Sequence, residues 1–284
     1  MPRTWEDPSE DTSGDRGAPQ LALPLLTKAT RILLIANASI FVVSFAVYLA
    51  SSEVWISVEH ALGLSPSAWR NAFPLVPVWQ LLTYGFLHSV TDISHVLLNM
   101  LSLYFFGTML EGMLGTRRFV VAYFSAQLVG ALIFLVPGLF GSEMGLAIGA
   151  SGAVFGVMIA VATLRPRQRV LFLFIPVSLG FLALVFVAIT LFGAALQWKT
   201  GDGGGTAHLV HLGGIAYGFL AVKSGLIYAD PMAAMARARA ARDVERRQSD
   251  DARIDQLLEK INREGMSSLS RGEREFLKRI STRR

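Results

Sequence analysis

The sequence predicts an all-α membrane protein: a bundle of six transmembrane helices, both termini on the inner side, followed by a small helical tail. Three observations carry this. Of the 284 residues, 52% are hydrophobic and only 17% are charged, against about 25% in soluble domains. The mean hydropathy is +0.47. The charges gather at the two ends and in a few short loops, leaving apolar runs of the length a bilayer requires.

Met1 to Gln20 is polar and rich in Asp, Gly, Pro and Ser, unlike the charged-then-apolar start of a cleaved signal peptide. Residues 1–30 are therefore read as a disordered tail. The first span is placed at Ile32–Ala50, flanked by Lys28 and Arg31. A long connection from Ser51 to Thr91 holds Trp55, Trp69 and Trp79, a residue type that favours the membrane–water interface. Further spans are expected at Asp92–Glu111, Phe119–Pro137, Ser151–Leu164, Val170–Gly193 and Thr206–Val222. With the N-terminus inside, the inner loops hold Arg117 and Arg118, then Arg165, Arg167 and Arg169, then the basic segment after Lys223. The outer loops keep Arg70 and Lys199. This bias obeys the positive-inside rule. Residues 31–223 form the expected six-span domain and 224–284 a basic helical extension on the inner side.

The fourth span is short. Ser151 to Arg165 gives roughly 21 Å of helix, against a hydrocarbon core of about 30 Å. Backbone arriving at that depth through Leu146–Ala150 cannot face lipid, because its N–H and C=O groups would go unpaired. A protein-lined or water-filled cavity open to the outside is expected there.

The same arithmetic puts several polar side chains in one layer. His211 lies roughly 18 Å above the inner anchor Lys223, and Asn99 roughly 18 Å above Glu111, with His95 one turn nearer the outside. Polar residues within a membrane are functional hypotheses by default. Ser151 opens a helix between small neighbours, Gly149, Ala150 and Gly152. The helix start offers free N–H groups and a positive dipole end, aimed where an oxyanion would form. His211 suits a general base for Ser151. Asn99 and His95, four apart on one helix face, are candidate oxyanion donors. Gly152 with Gly156, and Gly214 with Gly218, are small-xxx-small repeats that let helices approach closely. Phe155 offers a ring for the imidazole, and His208 reads as a residue of the pocket rim. Without a carboxylate in this layer, the arrangement is a dyad.

Other chemistries are excluded or weakened. The chain has no cysteine, so disulfides and thiolate catalysis are out. The net charge of +5 fits helix flanks, and no interleaving of aromatic and basic residues suggests nucleic acid. No HExxH pattern or carboxylate supports a metal beside the histidines, and no cofactor is implied. A silent membrane protein that binds client helices without cutting them is the rival reading. A six-span transporter is weakened by the missing carboxylates.

At these residues the sequence resembles the rhomboid family of intramembrane serine proteases. The matching pieces are His95-Val-Leu-Leu-Asn99, Gly149-Ala-Ser151-Gly152 and His211-Leu-Gly-Gly214-Ile-Ala-Tyr-Gly218, in the order of the family's HxxxN, GxSG and HxxGxxxG patterns. Gly107, Glu111 and Gly115 also look like the family's exit from the second span. The resemblance implies Ser151 as nucleophile and His211 as base, with His95, Asn99 and the Ser151 amide around the oxyanion. It further implies single-pass or polytopic membrane-protein substrates, cut near the outer leaflet beside a small residue. The surroundings would be a lipid bilayer, expected to be a bacterial inner membrane. Where family members often carry Trp-Arg, this chain has Trp79-Gln80.

In the extension, Met232–Arg247 reads as a basic helix on the inner surface. Ile254, Leu257, Leu258 and Ile261 show helical spacing ending at Gly265, and Ser270 with Glu273 forms a capping box before Phe276, Leu277 and Ile280. A helical hairpin with no assigned partner is expected.

Overall fold

The computed structural model describes residues 25–140, 144–172, 175–200 and 208–281. The expected disordered tail Met1–Gln20 and Thr206, the expected start of the sixth span, lie outside them. The chain divides into two compact units, Met1–Ile227 and Tyr228–Arg284.

The first unit is helical. Helix α1 spans Lys28–Ala50. The long connection folds into α2 (Ser52–Leu62), α3 (Pro66–Asn71) and α4 (Gln80–Thr83). Helix α5 (Ile93–Ser102) runs through a π-helical turn, Leu103–Gly107, into α6 (Thr108–Leu114). Then come α7 (Thr116–Leu139) and α8 (Ser151–Leu164). A hairpin of β1 (Arg169–Phe172) and β2 (Ile175–Ser178) leads into α9 (Leu179–Thr200) and α10 (His208–Lys223). Among the described residues, four helices are long and apolar enough to cross a membrane: Lys28–Ala50, Ile93–Leu114, Thr116–Leu139 and Leu179–Gln197. Helix α8 is apolar but shorter, at 14 residues.

The expected start of the fifth span at Val170 is wrong. Arg169–Phe172 and Ile175–Ser178 are antiparallel strands that pair Arg169 with Ser178 and Val170 with Val177. An apolar run rich in Val, Phe and Ile has no period that separates strand from helix. Pro176 lacks the N–H that a helix interior needs, so the helix begins after it, at Leu179.

The core is built by glycine. A methyl on Gly214 would run into the Gly152 carbonyl oxygen, and one on Gly218 into the Gly156 carbonyl oxygen. One on Gly213 would lie 2.6 Å from the Cα of Gly130, and one on Gly130 would lie 2.7 Å from the Val210 carbonyl oxygen. Helices α7, α8 and α10 therefore meet backbone to backbone, which is how helices gain dispersion contacts when lipid removes the hydrophobic incentive. Helix α8 is buried along nearly its whole length. Helix α9 leaves much of its apolar surface open, with Phe192 72% exposed.

Glu111, on α6, ties the start of α1 to the start of α7. Its carboxylate accepts hydrogen bonds from the Ala29 and Thr30 backbone N–H groups, both 2.9 Å, and from the hydroxyls of Thr27, Thr30 and Thr116. Thr27, the N-cap residue of α1, makes no capping bond with its side chain. An acid from another helix thus satisfies the free donors and meets the positive dipole end. The π turn at Leu103–Gly107 sets the phase between this carboxylate and Asn99. In an unbroken α-helix Asn99 and Glu111 would point about 120° apart, and one extra residue in the turn brings them within about 20°.

In the second unit, α11 (Pro231–Glu264) is one continuous helix, longer than the separate segments read from the sequence. Asp230 caps its start, accepting from Ala233 N–H at 2.8 Å. It stops at Gly265, whose φ of +81° suits glycine. Helix α12 (Arg271–Ser281) opens with reciprocal bonds: Ser270 N–H to Glu273 Oε2 at 2.6 Å, and Glu273 N–H to Ser270 Oγ at 3.3 Å. Leu257, Leu269 and Phe276 form the small core.

Candidate active site

Three stretches of backbone converge at the start of α8. Leu64 and Ala147 exchange hydrogen bonds in both directions, 2.9 and 3.0 Å, and the Gly149 N–H donates to the Tyr84 carbonyl at 2.9 Å. The segment before Ser151 is therefore satisfied by protein. Gly149 has a φ of +119°, and a methyl there would lie 2.7 Å from His95 Nε2. Conformation and space both demand glycine. The chain then turns into α8 at Ser151, whose first N–H groups have no partner within the helix.

Ser151 Oγ lies 2.7 Å from His211 Nε2. The two residues come from α8 and α10, joined through the contacts of Gly152 with Gly214 and of Gly156 with Gly218. His211 is 8% exposed, and its imidazole stacks on Phe155, ring centres 4.5 Å apart at 22°. Phe155 in turn meets Phe186 of α9 edge to face at 5.9 Å. His208, one turn earlier on α10, stands at 86° to His211 with ring centres 6.1 Å apart.

Helix α5 supplies the neighbouring polar groups. Asp92 caps it, accepting from Ser94 N–H at 3.0 Å. His95 reaches Gly149 through Nε2, while its Nδ1 faces the Ser89 N–H at 3.5 Å. If Nδ1 accepts there, Nε2 carries the proton and faces the Gly149–Ser151 corner as a donor. Asn99 is buried, and its amide donates to the His95 carbonyl at 2.9 Å. One amide hydrogen is thereby used within α5, and the second is available to a ligand.

His88, Tyr84 and Gln127, close to the site, were not singled out by sequence reasoning. His88 is fully buried, stands edge to face with His95 at 5.2 Å, and has no hydrogen-bond partner on either ring nitrogen among the described residues. Tyr84 donates through its hydroxyl to the Gln127 carbonyl at 2.8 Å, and the Gln127 side-chain amide donates to the Leu82 carbonyl at 2.7 Å. Gln127 was detectable as an amide in the middle of an apolar span, a placement that calls for an explanation. Gln80, in the place of the family's arginine, is 2% exposed. It donates to the His60 and Ala61 carbonyls at 3.2 and 3.3 Å and accepts from Ser65 N–H at 3.1 Å. Trp79 Nε1 also donates to Ala61 and the Thr83 hydroxyl to Leu62. The C-terminal carbonyls of α2 are thus capped by α4 and its flank without a cation.

A family model described as the rhomboid domain matches residues 77–226, more than half of the chain. The chain belongs to the rhomboid family. Together with its four long apolar helices, this makes it an integral membrane protein. It is 32% identical over 137 residues to the presenilin-associated rhomboid-like protein, mitochondrial, of Rattus norvegicus, covering 47% of this chain and 35% of that one. It is 37% identical over 142 residues to Rhomboid protein 1, mitochondrial, of Saccharomyces cerevisiae, covering 48% and 39%. It is 33% identical over 144 residues to Rhomboid protease GluP of Bacillus subtilis, covering 50% and 25%. The matched part thus spans between a quarter and two fifths of these relatives' lengths. A second model, a family of unknown function (DUF6576), matches residues 243–283, the stretch that holds the tail's small core.

Proposed function

We propose that this rhomboid protein is an intramembrane serine endopeptidase that cuts peptide bonds in or near the membrane-spanning segments of other membrane proteins. The observation that carries the reading is the 2.7 Å approach of Ser151 Oγ to His211 Nε2 beneath the open N-terminus of α8. In the proposed reaction, Ser151 Oγ attacks the scissile carbonyl carbon and its proton passes to His211 Nε2. The Ser151 N–H, His95 Nε2 and the Asn99 amide hold the oxyanion. His211 then protonates the departing amine. Water, activated by the same imidazole, releases the acyl group and restores Ser151. Phe155 keeps the imidazole in line and gives its positive form a ring face to rest on. Neither a metal nor an organic cofactor is needed for any step.

In the same reading the membrane unit crosses the bilayer six times, with α8 and α10 as its short spans. The clusters Arg117–Arg118 and Arg165–Arg169 lie with both termini on the inner side, as the positive-inside rule favours. An inner, cytoplasmic bacterial membrane is the proposed location. The substrate helix unwinds beside Gly149 and Gly152, which favours a small residue before the scissile bond.

The test uses purified full-length protein, reconstituted in detergent or liposomes, with a single-span substrate. Cleavage by the wild type, and its loss in Ser151→Ala and in His211→Ala at unchanged melting temperature, is the expected result. Substrate capture without cleavage by the wild type would contradict the reading.

A further inference from the structure

A dyad has no third side chain to hold its base, and this proposal rests on the protease reading above. In a triad a carboxylate fixes the imidazole's orientation. Here the rings beside His211 are those of Phe155 and His208. Phe155 lies along the His211 ring, but a stacked ring can slide, so a second contact is needed to stop it.

His208 provides that contact. It lies three residues before His211, on the same face of α10, and meets its ring at 86°. The Nδ1 of His208 is buried and has no hydrogen-bond partner among the described residues. Among the described residues, packing rather than a polar contact seats the inward side of this ring. Its seat is Gly193 on α9, where a methyl would fall 2.5 Å from His208 Nε2 and 3.0 Å from Nδ1. The imidazole occupies the space that any side chain at 193 would take. The ring is seated against α9 at Gly193 and stands edge to face with His211, so it fills the space between them.

We propose that His208, braced by Gly193, is the positioning residue of the dyad: it holds the His211 imidazole on Phe155 and so keeps Nε2 on the Ser151 hydroxyl. The same brace links α9, the most lipid-exposed neighbour of the site, to the orientation of the base.

The experiment measures cleavage of a single-span substrate together with the rate at which a small fluorophosphonate modifies Ser151. In that reaction the Ser151 oxygen forms a bond to phosphorus, fluoride leaves, and the hydroxyl proton passes through His211 to solvent. It requires the dyad but no substrate helix. In His208→Ala, kcat and the fluorophosphonate rate are expected to fall together by about tenfold to a hundredfold, of the order found when a residue that orients a metal-bound imidazole is removed, with KM unchanged. His208→Phe, which restores a planar ring, should recover most of both. Wild-type rates in His208→Ala, or a His208→Phe variant as slow as His208→Ala, would overturn the proposal. If His208→Ala does not fold, Gly193→Val decides. It keeps the His208 side chain but displaces its ring, so lowered kcat at constant KM supports the brace and unchanged kcat overturns it. A wild type that neither labels nor cleaves would overturn the protease reading and this proposal with it, a result distinct from a His208 variant that matches an active wild type.

Discussion

Helices α8 and α9 are both apolar, yet they occupy opposite places in the molecule. Helix α8 has 14 residues, carries Gly152 and Gly156, and is buried nearly end to end. Helix α9 has 22 residues and still presents Leu184, Ile189 and Phe192 outward. In water the longer apolar helix would be the one at the centre. In a membrane protein lipid is as apolar as leucine, so the central place goes to the helix whose backbone can be approached. The difference lies in the spacing of glycines, four apart on α8 at Gly152 and Gly156 but far apart on α9 at Gly180 and Gly193. It decides which helix can bring its first residue, Ser151, against α10. It also leaves α9 as a wall with much of its surface unpacked.

The sharpest way to break this comparison is to fill one of the glycine contacts. Gly214→Leu would drive a side chain into the Gly152 carbonyl, and a loss of about 3 kcal/mol or more is expected, beyond the usual range for overpacking because backbone is the obstacle. Thermal unfolding in detergent would show it. The matching change on α9, Phe192→Ala, should leave stability within about 0.5 kcal/mol, as for other positions without packed neighbours. Equal effects at the two sites would remove the distinction.

Next in size is Glu111. Glu111→Ala strips five donors of their common acceptor and should destabilise the membrane unit by about 3 kcal/mol, since each buried donor left unpaired costs about 1–3 kcal/mol and some will find water. Gln80→Ala should cost about 2 kcal/mol on the same basis. It should also slow cleavage, because the loop it ties down pairs with Ala147 ahead of Ser151. Unaltered cleavage in Gln80→Ala would separate that loop from the site.

The smallest expected effect lies in the second unit. The Ser270 N–H bonded to Glu273, with Lys260 beside it, holds the Glu273 carboxyl down at about 2, from an ordinary value of 4.5. A depressed carboxyl contributes stability that is full above 4.5 and lost as pH falls through about 2. Amide protection of residues 254–280 in the full chain, compared at each pH with Glu273→Gln, should differ at neutral pH and converge as pH approaches 2. A constant difference down to that pH would contradict the assignment.

Much of this was legible in the residues. The short helix Ser151–Leu164 could be read because a GASG turn and three arginines bracket it. The capping box at Ser270 and Glu273 could be read because its geometry is local. The strands at 169–178 could not, since a short apolar run has no decisive period and only Pro176 hinted at the answer. Glu111 looked like the end of a span, and its bond to the start of α1 joins residues more than 80 positions apart, which no local pattern encodes. At the site, the motifs name residue types and the helices that carry them. The distance between Ser151 and His211 depends on glycine contacts between helices and on a wedge formed by Gly193 and His208. Those are properties of packing, and spacing along one chain does not contain them.

The central claim is that the Ser151 hydroxyl is made nucleophilic by the imidazole 2.7 Å away. Its most direct measurement is the rate of Ser151 modification by a fluorophosphonate in the folded full-length protein, with intact-mass detection, compared with His211→Ala. The wild type should gain one adduct, located to Ser151, and His211→Ala should react slower by at least about 10²-fold, the lower range for removal of a general base. A wild type that takes up no adduct, or a His211→Ala variant that reacts at the same rate, would contradict the account.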